Sequence, residues 1–207
     1  NNNNITSYDG DNDSGSSITK VNLSYVTGKM GDVGVMFGRM PLALGKGLLV
    51  DTDSNWNGAK IDFGSNFKAQ MGYARAGSTD KKKYFFTDIT TNLTKDLDVT
   101  ASYLKDTDKP TKDAEYKAWT VGFGYNGIKN LAVVGEYGKN DVSKTKAWMT
   151  GVTFRQADRK KVGSWDTSVT YKKAGNGFDP EYWSTADATF AMEVNAMNDI
   201  QGVEYAV

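Results

Sequence analysis

Few residues of this chain have types and spacings that could support metal or catalytic chemistry. Near the N-terminus, Asp9, Asp11 and Asp13 have the first three ligand spacings of a calcium-binding loop. The loop position that is normally glycine holds Ser14, and the final glutamate is replaced by Lys20. The pattern leaves weak calcium binding open, but it fits a solvated acidic loop better, and we expect no cofactor elsewhere.

Enzymatic chemistry has little support in the composition. The 207 residues contain no histidine and no cysteine, which excludes Ser-His-Asp and Cys-His nucleophiles and thiolate metal sites within this sequence. The run ALGKGLL, residues 43–49, lacks the upstream glycine and the following Ser or Thr of a phosphate-binding loop. We therefore predict that the protein is not an enzyme. Lysine plus arginine equals aspartate plus glutamate, at 25 each, so no basic excess indicates nucleic-acid binding.

A charged, glycine-rich segment interrupts an otherwise regular pattern of residues. Residues 38–64 read GRMPLALGKGLLVDTDSNWNGAKIDFG. Between residues 40 and 57 the alternation of apolar and polar side chains stops, and Gly, Pro, Asp and Asn predominate. A long surface loop with solvated carboxylates and a functional loop both remain open as explanations.

The elements that position these residues are predicted to be β-strands, because apolar side chains recur with a period of two. Val121, Phe123 and Tyr125, for example, alternate with Gly122 and Gly124. The positions selected as the apolar parity of these segments, among them Val33, Phe37 and Trp148, carry no charge, which indicates that one face never meets water. The eleven segments lie near residues 18–27, 32–39, 57–63, 67–76, 83–93, 97–105, 116–126, 131–138, 146–155, 164–173 and 200–207.

Two all-β architectures fit this pattern. In a soluble sandwich or small barrel the apolar face packs inward. In a transmembrane β-barrel it faces lipid, and the polar face lines a lumen. Tight joints alternate here with long connections, at residues 40–56, 77–82, 106–115, 139–145 and 174–199. Short turns on one rim and long loops on the other are typical of outer-membrane barrels, so we predict an antiparallel transmembrane β-barrel.

The run from Asp32 to Gly64 resembles the Gram-negative outer-membrane porins, in which a strand ending in Gly-Arg leads into a long loop folded back into the barrel. The segments LTKDLDVTASYLKD and GIKNLAVVGEYGK are similar to porin hairpins. As a pattern of hairpins, the resemblance covers the whole chain. It implies a barrel of about sixteen strands, with residues 1–207 forming part of that single domain, approximately strands four to fourteen.

The resemblance also implies a function. The protein would be a passive diffusion channel for small hydrophilic solutes and ions in the bacterial outer membrane, surrounded by lipid and assembled as a homotrimer. More loosely, the sequence is similar to porins tethered by an S-layer-homology domain, which would imply cell-wall attachment through a domain absent from this chain. The alternative function is a structural anchor or tethering barrel with little transport role.

The site that the resemblance implies is a constriction near residues 40–57. Strict alternation places Arg39 on the lipid-facing parity, so a position in the lumen requires a bulge near Gly38. Glycines 45 and 47 would allow the backbone to turn inward, and Leu48 to Val50 would hold the loop against the wall. The predicted pore residues are Arg39, Lys46, Asp51, Asp53, Lys60, Lys68 and Arg75.

Overall fold

The computed structural model describes residues 2–4, 8–9, 20–21, 23–64, 67–76, 83–107, 116–155, 160–175, 177–178 and 200–206. Side chains are described at these positions except in residues 2–21, 52–55 and 200. Within these ranges the chain forms β-strands and no helix. None of the described residues therefore belongs to a helix of the length and apolarity needed to cross a membrane.

The described strands are β1 (Asn2–Asn4), β2 (Tyr8–Asp9), β3 (Lys20–Val21), β4 (Ser24–Met30), β5 (Val33–Leu44), β6 (Val50–Phe63), β7 (Phe67–Ala76), β8 (Lys83–Asn92), β9 (Leu97–Asp106), β10 (Lys117–Ile128), β11 (Leu131–Asn140), β12 (Lys146–Phe154), β13 (Thr167–Ala174) and β14 (Ile200–Ala206). Twelve of them form one antiparallel sheet, in the order β1-β4-β5-β6-β7-β8-β9-β10-β11-β12-β13-β14, and β2 pairs with β3. From β4 to β14, strands that follow each other in sequence pair with each other, which confirms the predicted all-β antiparallel class.

Each of the eleven predicted segments overlaps one of the strands β4 to β14, and the predicted boundaries differ most from the observed ones in three places. Residues 40–44 and 50–56 are strand rather than loop, since β5 and β6 pair beyond the point where the alternation stops. The segment 18–27 divides between β3 and β4. The joint after β12, expected to be tight, runs from residue 155 to 166.

The sheet has two faces of different character. Large apolar side chains on one parity are exposed, as Val121 is at 48%, whereas their neighbours on the other parity are buried, as Thr120 is at 1%. In β8 the exposed Phe85 likewise lies between the buried Tyr84 and Phe86. We call the exposed apolar side the outer face and the opposite side the inner face. The predicted side of the apolar residues is thus confirmed along the described strands. The prediction that this side carries no charge is wrong, because basic residues near strand ends, such as Arg75 and Lys83, also lie on the outer face.

The connections define two rims. Residues 31–32, 64–66, 93–96 and 129–130 turn at one end, which we call the short-turn rim. Residues 77–82, 107–116, 141–145 and 175–199 connect strands at the other end, which we call the long-connection rim. The β5–β6 connection also belongs to the long-connection rim, and it leads to the candidate site.

Candidate functional site

The candidate site is built on a hairpin that leaves the sheet between β5 and β6. Met40 pairs with Trp56 at its base, and Trp56 pairs with Ala76, the last residue of β7. Beyond this point the register shifts, and Leu42, Ala43 and Leu44 pair with Thr52, Asp51 and Val50. An irregularity of this kind bends a strand and redirects it. We call residues 41–55 the inner hairpin, and residues 45–49 are its tip.

Apolar side chains hold the inner hairpin against the inner face. Leu42, Leu44, Leu48, Leu49 and Val50 are each at most 1% exposed, as predicted for residues 48–50. Complete burial of such a side chain contributes about 1.5–3 kcal/mol. The wall side chains in the same cluster are Ala74, Tyr84, Phe86, Leu104, Tyr116, Ala118, Ala147, Met149, Ala174 and Phe178. Because these residues belong to β7 to β10, β12, β13 and the adjoining connections, the hairpin lies across the inner face.

Carboxylates on the wall bind the backbone of the tip. The amide of Gly45 donates to Asp88 Oδ1 at 2.8 Å, and the amides of Lys46 and Leu48 donate to Glu136 Oε2 at 3.0 and 2.8 Å. Gly45 and Gly47 have φ angles of 67° and 93°, which turn these amides toward one side. Successive amides in such a turn form a concave anion-binding site. Here the anions are side chains of β8 and β11.

The side chain of Lys46 continues across the inner face to β9. Its Nζ atom forms an ion pair with Asp98 Oδ2. A Cβ atom added at Gly122 or Gly124 of β10 would lie 3.1 Å from Lys46 Cγ or Nζ, respectively. The two glycines therefore leave the space in which the Lys46 side chain lies. Gln70 of β7 adds a bond from its side-chain amide to the Ala43 carbonyl, 2.8 Å long.

Four of the predicted pore residues lie on the inner face or on the inner hairpin. Lys46 is in the tip, and Asp51 lies on the exposed side of the hairpin opposite Ala43. Lys60 forms an ion pair with Asp62 at 3.3 Å. Lys68 is exposed and lines an open depression near the short-turn rim. The side chain of Asp53 lies outside the described residues.

Arg75 and Arg39 do not lie where a pore residue was predicted. Arg75 pairs with Lys83 on the parity of Tyr73 and Phe85, so it belongs to the outer face. Arg39 pairs with Ser24 and Asn57, and the ladder is regular from Gly34 to Met40. Arg39 could face the lumen only if a bulge lay near Gly38. The register shift lies instead between Met40 and Leu42, so Arg39 stays on the outer face.

The carboxylates that bind the tip were not predicted as site residues. Asp88, Asp98 and Glu136 all lie on the polar parity, which was the available signal. A single sequence does not show which of these strands meets the hairpin. For calcium, Asp11 and Asp13 lie outside the described residues, as does the side chain of Asp9. The described residues contain no group of three or more potential ligands among His, Cys, Asp and Glu.

We expect Gly45→Ala to destabilise the protein more than Gly31→Ala. The two glycines have φ angles of 67° and 63°, so both alanines carry the left-handed backbone penalty of about 1–2 kcal/mol. A Cβ at Gly45 would also collide with the Glu136 carboxylate, whereas nothing lies within 4 Å of one at Gly31. Urea unfolding in detergent, followed by tryptophan fluorescence, measures both variants. Equal losses would mean that the tip is not docked on Glu136.

Comparison with known proteins supports the fold. No family model matches the chain, and no curated protein matches it significantly. Among solved structures, the chain is similar to Pseudomonas aeruginosa OccK8 (OprE), with a TM-score of 0.54 and 10% identity. The match covers 88% of this chain and 60% of that chain. At this identity the likeness shows the fold alone, which is a porin-like β-barrel architecture.

Proposed function

We propose that the protein is an outer-membrane porin, a passive diffusion channel for small hydrophilic solutes and ions, in which the inner hairpin forms the constriction. The observation that carries this proposal is the docking of the tip on Asp88, Asp98 and Glu136 across the inner face. A loop fixed inside a barrel sets the width and the charge of the narrowest section. The surrounding wall needs no catalytic group, and we propose no enzymatic activity.

The outer face supports a membrane location. Exposed Val26, Phe37, Phe123, Val152 and Val169 belong to a continuous apolar surface across the sheet. Apolar patches of this extent are rare on monomeric soluble proteins and are typical of the lipid-facing band of a barrel. We therefore propose the bacterial outer membrane as the location. A homotrimer, and attachment to the cell wall through a further domain, remain proposals that rest on the porin resemblance.

The experiment is single-channel recording in planar bilayers with the full-length protein. A diffusion channel gives stepwise, ohmic conductance that scales with electrolyte concentration. A structural anchor, the alternative function, gives insertion without conductance. Membrane insertion is checked separately by protection of the strands from external protease, so that a silent bilayer is not mistaken for a missing protein. Inserted but non-conducting protein would reject the channel.

Ion selectivity is expected to be weak, because inner-face charges of both signs are close together. Lys60 is paired with Asp62, and Lys172 with Glu204, each at 3.3 Å. Asp51 and Lys68 are the better candidates for acting on a passing ion, because their side chains are exposed to solvent. A unit charge about 8 Å from an ion in water contributes about 0.5 kcal/mol, or about a twofold change in local ion concentration.

We expect Asp51→Asn to shift the reversal potential in a salt gradient toward anion selectivity, and Lys68→Gln to shift it toward cation selectivity. Arg75→Gln is the control, because Arg75 lies on the outer face. The shifts should shrink as ionic strength increases, since salt screens exposed charges. If Arg75→Gln shifts the potential as much as Lys68→Gln does, the assignment of faces is wrong.

A further inference from the structure

Basic side chains recur on the outer face at the long-connection rim. Three pairs lie directly opposite each other on neighbouring strands, at the base of three successive hairpins. We call these residues, together with Lys173, the basic row. Its members are Arg75 and Lys83 on β7 and β8, Lys105 and Lys117 on β9 and β10, Lys139 and Lys146 on β11 and β12, and Lys173 on β13.

The basic row keeps a nearly constant height around the sheet. Lys105 pairs with Phe85, which lies two residues from the row member Lys83 on the same strand. Likewise, Lys139 pairs with Trp119 instead of Lys117, and Lys173 pairs with Trp148 instead of Lys146. All three shifts go in the same direction, and the two pairings between them, Lys105 with Lys117 and Lys139 with Lys146, have no shift. Strands about 4.8 Å apart and tilted by about 40° require an average shift of about 1.2 residues per strand to stay level. From Lys83 to Lys173 the row has this average, so it is level relative to a barrel axis.

Each basic residue has an aromatic neighbour two positions nearer the centre of the sheet on the same face. These aromatic residues are Tyr73, Phe85, Tyr103, Trp119, Tyr137, Trp148 and Tyr171. Rings at the membrane–water boundary form such a band, and two residues of strand place the charges about 7 Å outside it. That distance corresponds to the headgroup layer of a lipid leaflet.

The like-charged pairs need an explanation, because like charges directly opposite on neighbouring strands are destabilising. Within the described part of the chain, Asp141 forms an ion pair with one member of the row, Lys139, at 3.6 Å. At the other end of the same strands, the outer face carries Phe67, Leu97, Tyr125 and Phe154 instead. The opposed basic pairs therefore lie at one rim, whereas the other rim carries single basic residues such as Arg155, which lies 4.6 Å from the centre of the Trp165 ring.

We propose that the basic row binds the phosphate groups of anionic lipid headgroups in the leaflet at the long-connection rim. A phosphate between two opposed basic side chains accepts charge-assisted hydrogen bonds from both, which turns the repulsion within each pair into shared attraction. The proposal rests on the proposed function insofar as the outer face must be in lipid. It adds a lipid preference, and it assigns the long-connection rim to the leaflet richer in phosphate.

The test uses quenching of Trp119 and Trp148 fluorescence by brominated lipids, in a Trp165→Phe, Trp183→Phe background that removes two other tryptophans. The reconstituted full-length protein is titrated with brominated phosphatidate against brominated phosphatidylcholine. We expect phosphatidate to be preferred about fivefold, the effect of one basic residue near an anionic surface. The triple variant Arg75→Gln, Lys117→Gln, Lys146→Gln, with one change in each pair, should lose most of this preference.

The matched control is the triple variant Lys95→Gln, Lys129→Gln, Lys161→Gln, which removes the same amount of charge outside the row. Residues 95 and 129 lie at the short-turn rim, and residue 161 lies in the β12–β13 connection. This variant should keep the preference for phosphatidate. Equal quenching by both lipids in the protein with an unmodified row would overturn the lipid proposal, but it would not contradict the proposed channel function. A preference that survives the triple variant would also overturn it. Absence of quenching by either lipid would mean that the outer face is not in lipid, and would overturn the proposed function as well.

Discussion

We expect single-channel conductance to rise severalfold when residues 41–55 are replaced by Asn-Gly. Met40 and Trp56 are directly paired, so a two-residue turn joins them without disturbing the ladder. The change removes the five apolar side chains that fill part of the inner face and the amides that Asp88 and Glu136 bind. The sheet should still assemble, because a change in loop length alters the entropy of closure only slightly. Conductance and the size cutoff for neutral sugars are both measured.

The control for this replacement is a deletion of similar length in another long connection. Removing residues 182–196 shortens the link between β13 and β14 but keeps Phe178, which packs in the same inner cluster. We expect conductance to change little in this variant. If both deletions raise conductance to the same extent, the inner hairpin does not set the narrowest section.

The second large effect is expected for Glu136→Ala, which should release the tip from the wall. Glu136 accepts two buried amide hydrogens, and hydrogen bonds to a charged group contribute about 1.5–3 kcal/mol each. Their loss should raise the open fraction of the hairpin by about a hundredfold or more, because each 1.4 kcal/mol is about a factor of ten. The readout is tryptic cleavage after Lys46, followed by mass spectrometry of that one bond.

Glu204→Ala is the matched control for the release of the tip. Glu204 is also an inner-face carboxylate with a basic partner, Lys172 at 3.3 Å, but it lies on β14. Cleavage after Lys46 should stay slow in this variant. Rapid cleavage in the unmodified protein, or slow cleavage in Glu136→Ala, would contradict a docked tip.

Local patterns were sufficient to predict the sheet, and insufficient to predict the site. The alternation of Val121, Phe123 and Tyr125 with small residues depends only on the period of a strand, so it gave the correct faces. The arms of the inner hairpin were predicted as loop because Pro41 and the glycines interrupt that period. The pairing of Leu44 with Val50 is stabilised instead by burial against distant strands. Arg75 was wrongly predicted to be a pore residue, because its charge suggested a place in the lumen although it shares the parity of Tyr73.

The position of Glu136 in the chain has a consequence for the order of folding. Strands β4 to β14 pair with their sequence neighbours, so the sheet can grow by local steps. The tip, by contrast, bonds to residues that are distant in sequence. Gly45 and Asp88 are 43 residues apart, and Leu48 and Glu136 are 88 residues apart. Contacts of long sequence separation form late, because loop closure must precede them. The hairpin would therefore dock only after β11 has joined the sheet, and the channel proposed above would narrow late in assembly.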